Sequence, residues 1–395
     1  MHKRVYIDLF AGCGGLSLGL YNSGKWHGLF AVEKSSDAFA TLEHNLIKRK
    51  KHFSWPEWLG RPKNHDINEL ISDYEDRLKE LRGSVDLVVG GPPCQGFSMA
   101  GRRVESDQRN NLVHSYLKFI ELVEPKVILF ENVKGFKVGF KNKDNSRGRP
   151  YSDIVIEKLK AQGYTDAHAE IIDFSEFGVP QRRKRCIIVA TKNNTARKFF
   201  NQLSSSSTCF LKKKGLTKET KLKSAISDIR AKYGTAESPD SKRFESGKYA
   251  SRPFTPYQKL MRQGRKGMPD SHRFANHSQK TKNKFRTIID EKLSSQEVRE
   301  RFNTKKSSTK LLLPDIPTPT LTTLPDDYVH YEEERILTVR EYARIQSFPD
   351  SYEFRGKYTT GGDRRKVEVP RYTQVGNAIP PLFAEQAGLI LSKIS

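Results

Sequence analysis

Residues 5–20 read VYIDLFAGCGGLSLGL, an apolar run that breaks on glycines and resumes as a helix-like stretch. An apolar run of six residues closed by glycines suits a buried strand, and Gly12, Gly14 and Gly15 suit a tight turn into a helix. A backbone without Cβ atoms lets a ligand approach closely, and the helix start offers unpaired amide donors. Glu33 follows Gly14 by 19 residues, at the end of a second apolar run, 29–33 (LFAVE). A carboxylate there is placed to meet a ribose diol, although the glycine spacing matches the dinucleotide fingerprint only in part. The expectation is a nucleoside cofactor.

The pattern continues outward. Runs 86–90 (DLVVG) and 127–131 (VILFE) are short and apolar, and the stretches 36–49 and 110–123 lie between strands. In the second stretch Leu112, Tyr116, Phe119, Ile120 and Val123 share one helical face. Alternation of this kind predicts an α/β fold, a Rossmann-like parallel sheet with helices on both faces. Runs 169–174 and 186–191 have no helix between them, which predicts an antiparallel pair finishing the sheet.

Ligands in such sheets bind at the carboxyl ends of the strands. Residues 90–98, GGPPCQGFS, follow the third run, and Glu131, in FENVKG, ends the fourth. A thiol, Cys94, and a carboxylate are therefore expected in the cleft that holds the cofactor. Pro92 and Pro93 stiffen the chain beside the thiol.

Composition points to the partner. The 395 residues carry 70 Lys+Arg and 46 Asp+Glu, a formal charge of +24. Residues 191–310 hold 30 basic and 10 acidic side chains, a net +20, with aromatics such as Phe244, Tyr249, Phe254 and Phe285 interleaved. Basic surfaces gain affinity for polyanions by releasing counterions, so nucleic acid is the expected partner. A solvated insertion is the other reading of such a segment. The four cysteines, Cys13, Cys94, Cys186 and Cys209, are isolated, which argues against a metal site and against a disulfide framework and fits a reducing cytoplasm. No apolar run is long enough for a membrane span, and no export signal is read.

DLFAGCGG, Glu33, Asp66, GGPPCQGFS, ENVKG, QRRKR (181–185), REYARIQSFP (340–349) and QVGNAIPP (374–381) together resemble, in order, the motifs of the cytosine-5 DNA methyltransferases of bacterial restriction-modification systems. The resemblance implies S-adenosyl-L-methionine as cofactor, leaving as S-adenosyl-L-homocysteine, with no metal. It implies a cofactor pocket made by Phe10 on the adenine, Cys13, Gly15, Leu16, Glu33 on the ribose, Asp66 and Ile67 near the base, Gly91, Pro93, Leu112 and Asn377. It makes Cys94 the nucleophile at carbon 6 of cytosine, Glu131 the acid at ring nitrogen 3, and Arg183 and Arg185 contacts to the target nucleotide. Gln95, Ser98, Arg102 and Thr320 become DNA contacts. Residues 98–109 become a lid, lacking a serine that some relatives carry where Ala100 stands. The apolar helix after QVGNAIPP is expected beside the first strand.

By the same resemblance, residues 1–192 and 368–395 form the catalytic domain, 193–340 a smaller, irregular target recognition domain, and 341–367 the hinge between them. The target cytosine must leave the duplex to be reached. Double-stranded DNA is the expected partner, with a cognate restriction endonuclease acting separately, and the protein is expected to be a cytoplasmic monomer of a bacterium or phage. The alternatives are an RNA cytosine-5 methyltransferase and a DNA-binding relative without catalysis. A nicotinamide dehydrogenase would explain the glycine turn and Glu33 but would leave PCQ and ENV without a role.

Overall fold

The computed structural model of the chain describes residues 3–93, 111–139, 148–265, 267–304, 308–361, 364 and 368–395. These residues divide into two compact units, one of 1–174, 184–210 and 381–395, the other of 175–183 and 211–380.

The first unit is an α/β sheet. In chain order it contains β1 (Arg4–Leu9), α1 (Gly15–Ser23), β2 (Trp26–Val32), α2 (Ser36–Leu42), α3 (Ile67–Asp73), α4 (Glu75–Glu80), β3 (Leu87–Gly90), α5 (Asn111–Val123), β4 (Val127–Val133), α6 (Gly135–Val138), α7 (Tyr151–Ala161) and β5 (Asp166–Asp173). After the short β6 (Gln181–Arg182) of the second unit come β7 (Lys184–Thr191) and α8 (Ala196–Lys213). The strand order is β2-β1-β3-β4-β7-β5. The first four strands are parallel, and β7 runs antiparallel to both β4 and β5, as the missing helix predicts. Every residue of β3 is buried, as a strand covered on both faces requires. The chain leaves β1 for β2 on one side and resumes at β3 on the other, which opens a crevice at their carboxyl ends. The stretch 36–49 is helical throughout but widens to a π-helix over Glu43–Arg49.

The second unit contains α9 (Leu222–Ile226), β8 (Thr235–Glu237), β9 (Glu245–Gly247), α10 (Pro256–Arg262), α11 (Gln279–Asp290), α12 (Ser295–Arg301), β10 (Lys310–Leu311), β11 (Thr318–Pro319), β12 (Tyr328–Val329), α13 (Val339–Ile345) and α14 (Arg371–Asn377). Its strands are two or three residues long and pair only two by two, so side-chain networks hold it together. Helix α13, from REYARIQSFP, is buried along its whole length. Arg344 donates to Asp228 and Asp350, and Arg340 donates to Asp270. Arg335 is bound by Glu333 and, at 2.7 Å through two nitrogens, by Glu341. His330, Glu333 and Glu341 come within 4.8 Å of one another, but the Arg335 guanidinium already supplies the cation between the two carboxylates.

The units do not follow the expected boundaries. Residues 193–210 belong with the sheet, while 341–380 belong with the second unit. The cause is α13: its buried arginines bind acids at 228, 270 and 350, which locks the supposed hinge into one core.

The helix α15 (Pro381–Ile394) returns the chain to the first unit and lies along α1. Trp26 Nε1 donates to the Gly388 carbonyl at 2.8 Å, and Arg4 Nε donates to Ser392 O at 2.9 Å. A Cβ on Gly19 would overlap that of Ala384 and lie 2.6 Å from the Pro381 carbonyl oxygen.

Two predictions follow from this packing. Gly19→Ala gains about 1 kcal/mol of helix propensity but must move α15, so a net loss of roughly 1–3 kcal/mol is expected in urea unfolding; an unchanged midpoint would show the contact to be compliant. In the second unit, burial would raise the Glu341 carboxyl, but the Arg335 charge and its hydrogen bonds hold it down, from 4.5 to about 2. Its contribution to stability is therefore complete above about pH 4.5 and lost as pH falls toward 2. Glu341→Gln leaves Arg335 short of a charge and should cost about 3–5 kcal/mol at neutral pH, with a shallower acid branch. Equal acid branches in the two proteins would contradict the assignment.

Candidate active site

The site is built on loops at the carboxyl ends of the sheet. β1 is followed by Phe10, whose φ of 56° is in the left-handed region, unusual for an aromatic residue and a mark of strain at functional turns. Gly12 (φ 56°) and Gly14 (φ 86°) follow in the same region, and a Cβ on Gly12 would meet no atom within 4 Å, so conformation demands glycine there. The Glu33 carboxylate closes this loop: Oε2 accepts from Gly12 N at 2.8 Å and Oε1 from Ser35 N at 2.7 Å. Burial pushes the Glu33 carboxyl up, against the pull of the Ser35, Gly12 and Lys34 amides. Cys13, Gly15 and Leu16 are buried at the start of α1, and burial pushes the Cys13 thiol well up.

Asp66 caps α3, accepting from Asn68 N at 2.8 Å, and pairs with Lys34 at 2.9 Å. Burial works to raise its carboxyl, but the Lys34 hydrogen bond and the Asn68 amide outweigh it and hold it below the ordinary value. Ile67 is buried behind it. His65 N donates to the Glu33 carbonyl at 2.9 Å, which ties the Asp66 turn to the end of β2. Phe10 and Leu112 are partly buried against the main core.

Two of these contacts lay beyond sequence reasoning. Asp8, buried on β1, accepts from Ser17 Oγ on α1 and so pins the glycine turn. Burial pushes its carboxyl up to about 7, opposed by the Ser17 hydrogen bond and reinforced by the Glu33 charge. A carboxylate inside an apolar strand was the available signal. Lys34, next to Glu33, gave none beyond its charge.

Glu131 stands near the carboxyl end of β4, and its Oε1 pairs with Arg185 Nε on β7 at 2.9 Å. Both side chains are largely buried, and burial lowers the Arg185 guanidinium against the opposing effect of Glu131. Gly91 faces the same carboxylate: a Cβ there would lie 2.7 Å from Glu131 Oε2. Gly91 is not in the left-handed region, so here space demands the glycine. Asn132 Nδ2 donates to the Pro92 carbonyl at 3.2 Å and fixes the strand end to the GGPP turn, where Pro93 is exposed. Cys94, Gln95, Ser98 and Arg102 lie outside the described residues, as does the expected lid, 98–109.

The structure thus gathers Phe10, Glu33, Asp66, Gly91, Glu131 and Arg185 in the first unit, whereas Arg183, Thr320 and Asn377 belong to the second. In that unit Gln181 Nε2 donates to Gln346 Oε1 at 2.9 Å, Gln181 Oε1 accepts from Leu321 N, and Gln346 Nε2 donates to Val375 O. Arg183 is buried and donates to the Asn377 carbonyl at 3.4 Å, while Thr320 Oγ1 donates to Arg182 O at 2.9 Å. Four motifs distant in sequence, QRRKR, PTPTLTT (317–323), REYARIQSFP and QVGNAIPP, therefore meet at one hydrogen-bonded hub.

A carboxylate clamped on a glycine turn can bind a diol, and an acid held by a guanidinium at the neighbouring strand end can hold a base edge. The family model described as C-5 cytosine-specific DNA methylase matches residues 5–393. Type II methyltransferase M.DdeI of Desulfomicrobium norvegicum is 31% identical over 396 residues, covering 96% of this chain and 86% of that protein. Type II methyltransferase M.XorII of Xanthomonas oryzae pv. oryzae is 28% identical over 423 residues, covering 98% and 84%. Among solved structures, a prophage-encoded protein of E. coli aligns with a TM-score of 0.64 at 22% identity over 99% of this chain and 98% of that one. The S. pombe Dnmt2 methyltransferase aligns with a TM-score of 0.51 at 15% identity over 100% and 98%. These two likenesses bear on the fold alone. From the family match across nearly its whole length and the likeness to M.DdeI, the chain belongs to the C-5 cytosine-specific DNA methylases, enzymes that methylate carbon 5 of cytosine in DNA.

Proposed function

We propose that this methyltransferase modifies cytosine within a specific double-stranded sequence, with the first unit carrying the chemistry and the second reading the DNA. The observation that carries the chemical half is the Glu131 carboxylate, held at 2.9 Å by Arg185 and given room by Gly91 at the mouth of the crevice. The recognition half is supported by the charge of residues 211–310 in the second unit, 27 Lys+Arg against 10 Asp+Glu, a net +17.

The residues at the crevice suit an adenosyl group. The Glu33 carboxylate accepts backbone amides at both oxygens and retains acceptor capacity for a ribose hydroxyl. Phe10 and Ile67 offer apolar surface for a purine, Asp66 an acceptor at its rim, and Gly15, Leu16, Cys13, Gly91, Pro93 and Leu112 the remainder of the pocket in the first unit. S-adenosyl-L-methionine would supply the methyl group there as an electrophilic sulfonium substituent.

Carbon 5 of cytosine is too weak a nucleophile to accept that group unaided. In the proposed sequence the Cys94 thiolate adds to carbon 6 and makes the ring an enamine. Glu131, as an acid, holds ring nitrogen 3 and the exocyclic amine, stabilising the charge that develops there. After transfer, loss of the carbon 5 proton to a base and departure of the thiolate restore the aromatic ring. Arg185 keeps Glu131 in place. Arg183, Thr320, Gln95, Ser98 and Arg102 are assigned to the target nucleotide and the DNA backbone. The biological setting we assign is a bacterial or phage cytoplasm, with the protein acting as a monomer beside a separate cognate endonuclease. Among the described residues no helix is long and apolar enough to cross a membrane.

Bisulfite sequencing of DNA from cells expressing the protein should reveal 5-methylcytosine at one recurrent sequence. Cys94→Ser should lose the mark while retaining cofactor and DNA binding; turnover by that variant would remove Cys94 from the mechanism. Methylation of transfer RNA in preference to duplex DNA would favour the RNA alternative, and DNA binding without any methyl transfer would favour a silent relative.

The Gly91 contact yields a second test. Gly91→Ala should push the Glu131 carboxylate off Arg185 and lower kcat about 10²- to 10³-fold, the size of losing one transition-state partner. In a Glu131→Asp background, whose shorter side chain leaves room for the methyl group, the added loss should be much smaller. Equal losses in both backgrounds would show that Gly91 acts on the cofactor alone.

A further inference from the structure

Helix α11 (Gln279–Asp290) has a buried and an exposed side of different chemistry. Phe285 and Ile288 pack with Leu293, Val298, Val329 and Ile336 into a small core that is separate from the main core of the sheet. The opposite face leaves Gln279, Lys280, Lys282, Asn283 and Arg286 exposed. Residues 271–289 contain five Lys or Arg side chains and no acid. The helix starts at Ser278, whose hydroxyl accepts from Thr281 N at 3.3 Å, and no acid stands in its first turn. The neighbouring α12 differs: Glu297 and Glu300 lie among its arginines, and Arg301 is taken by Glu291. On α11 the exposed face carries Lys280, Lys282 and Arg286, and its one acid, Asp290, stands at the last residue of the helix.

Side-chain types on that face match what duplex DNA presents. Residues 279, 283 and 286 follow one another at spacings of four and three, so they form a stripe along the helix, with Lys280 and Lys282 on either side. Gln279 Nε2 donates to Asn283 Oδ1 at 2.9 Å. That bond leaves Gln279 Oε1 as an acceptor beside Asn283 Nδ2 as a donor. The adjacent pair complements the amine and N7 that adenine shows in the major groove. The bond also fixes both amides before any base arrives, so less side-chain freedom is lost on contact. Arg286 is steadied by Glu334 at 2.6 Å. A helix of about 10–12 Å diameter fits a groove about 12 Å wide.

We propose that α11 lies in the major groove of the substrate duplex, with Gln279 and Asn283 against a base edge and Lys280 and Lys282 on the flanking phosphates. This rests on the assignment of DNA reading to the second unit.

The test uses the full-length protein and a duplex carrying the sequence found by bisulfite mapping. Lys280→Ala with Lys282→Ala should reduce the slope of log Kd against log salt concentration by about 2, near 0.9 for each phosphate contact released. Gln279→Ala with Asn283→Ala should lower the preference for the mapped duplex over single-base variants by roughly tenfold to a hundredfold. Cofactor affinity, measured by calorimetry, should be unchanged in both, which also reports intact folding. An unchanged slope and an unchanged preference, with the parent protein still binding in a salt-dependent way, would overturn the proposal for α11 and leave the assignment of the unit standing. A reduced slope with full preference would refute base reading by Gln279 and Asn283. Binding by the parent protein that ignores both salt and sequence would instead sink the assignment of the second unit.

Discussion

The ion pair between Glu131 and Arg185 depends on the one reversal of direction in the main sheet. Strand β4 runs toward the crevice, and β7 pairs with it antiparallel, so Val133 faces Arg185 across the ladder. A parallel β7 would put its first residues at the opposite edge of the sheet, far from Glu131. The antiparallel end of the sheet is therefore what lets an arginine at a strand start hold an acid at a strand end. Gly91 and the Asn132 bond to Pro92 then join this pair to the turn after β3.

The two carboxylates of the crevice are managed differently. Glu33 is held by backbone amides, which carry no net charge, and burial raises its carboxyl. Glu131 is held by a cation that shares its burial. The first arrangement suits a residue that accepts hydroxyl groups throughout a reaction. The second suits one that must present a fixed edge, because the guanidinium keeps the side chain oriented.

Much of this was legible in the sequence. The strands through β4, the glycine turn, Glu33 and Glu131 are marked by local signals: short apolar runs, glycine punctuation and acids at strand ends. The pairing of Arg185 with Glu131 was not, because it rests on a register between segments more than fifty residues apart. The hinge that the resemblance implied over 341–367 had no local signal to correct it: Arg340 and Arg344 are fully buried because their acids arrive from Asp228, Asp270 and Asp350. Composition counts charges but does not say which of them meet. Phe10 likewise gave no hint of its backbone angle, which the turn imposes on it.

The place of α15 in chain order has a consequence for biosynthesis. This helix lies against α1, yet it is made only after the whole of residues 211–380. A nascent polypeptide on the ribosome therefore displays the bare Gly19 surface of α1 until translation has passed the second unit. Premature termination anywhere in that unit would yield a first unit whose α1 lacks its cover, a target for cellular proteases, rather than a modifying enzyme deprived of its sequence preference.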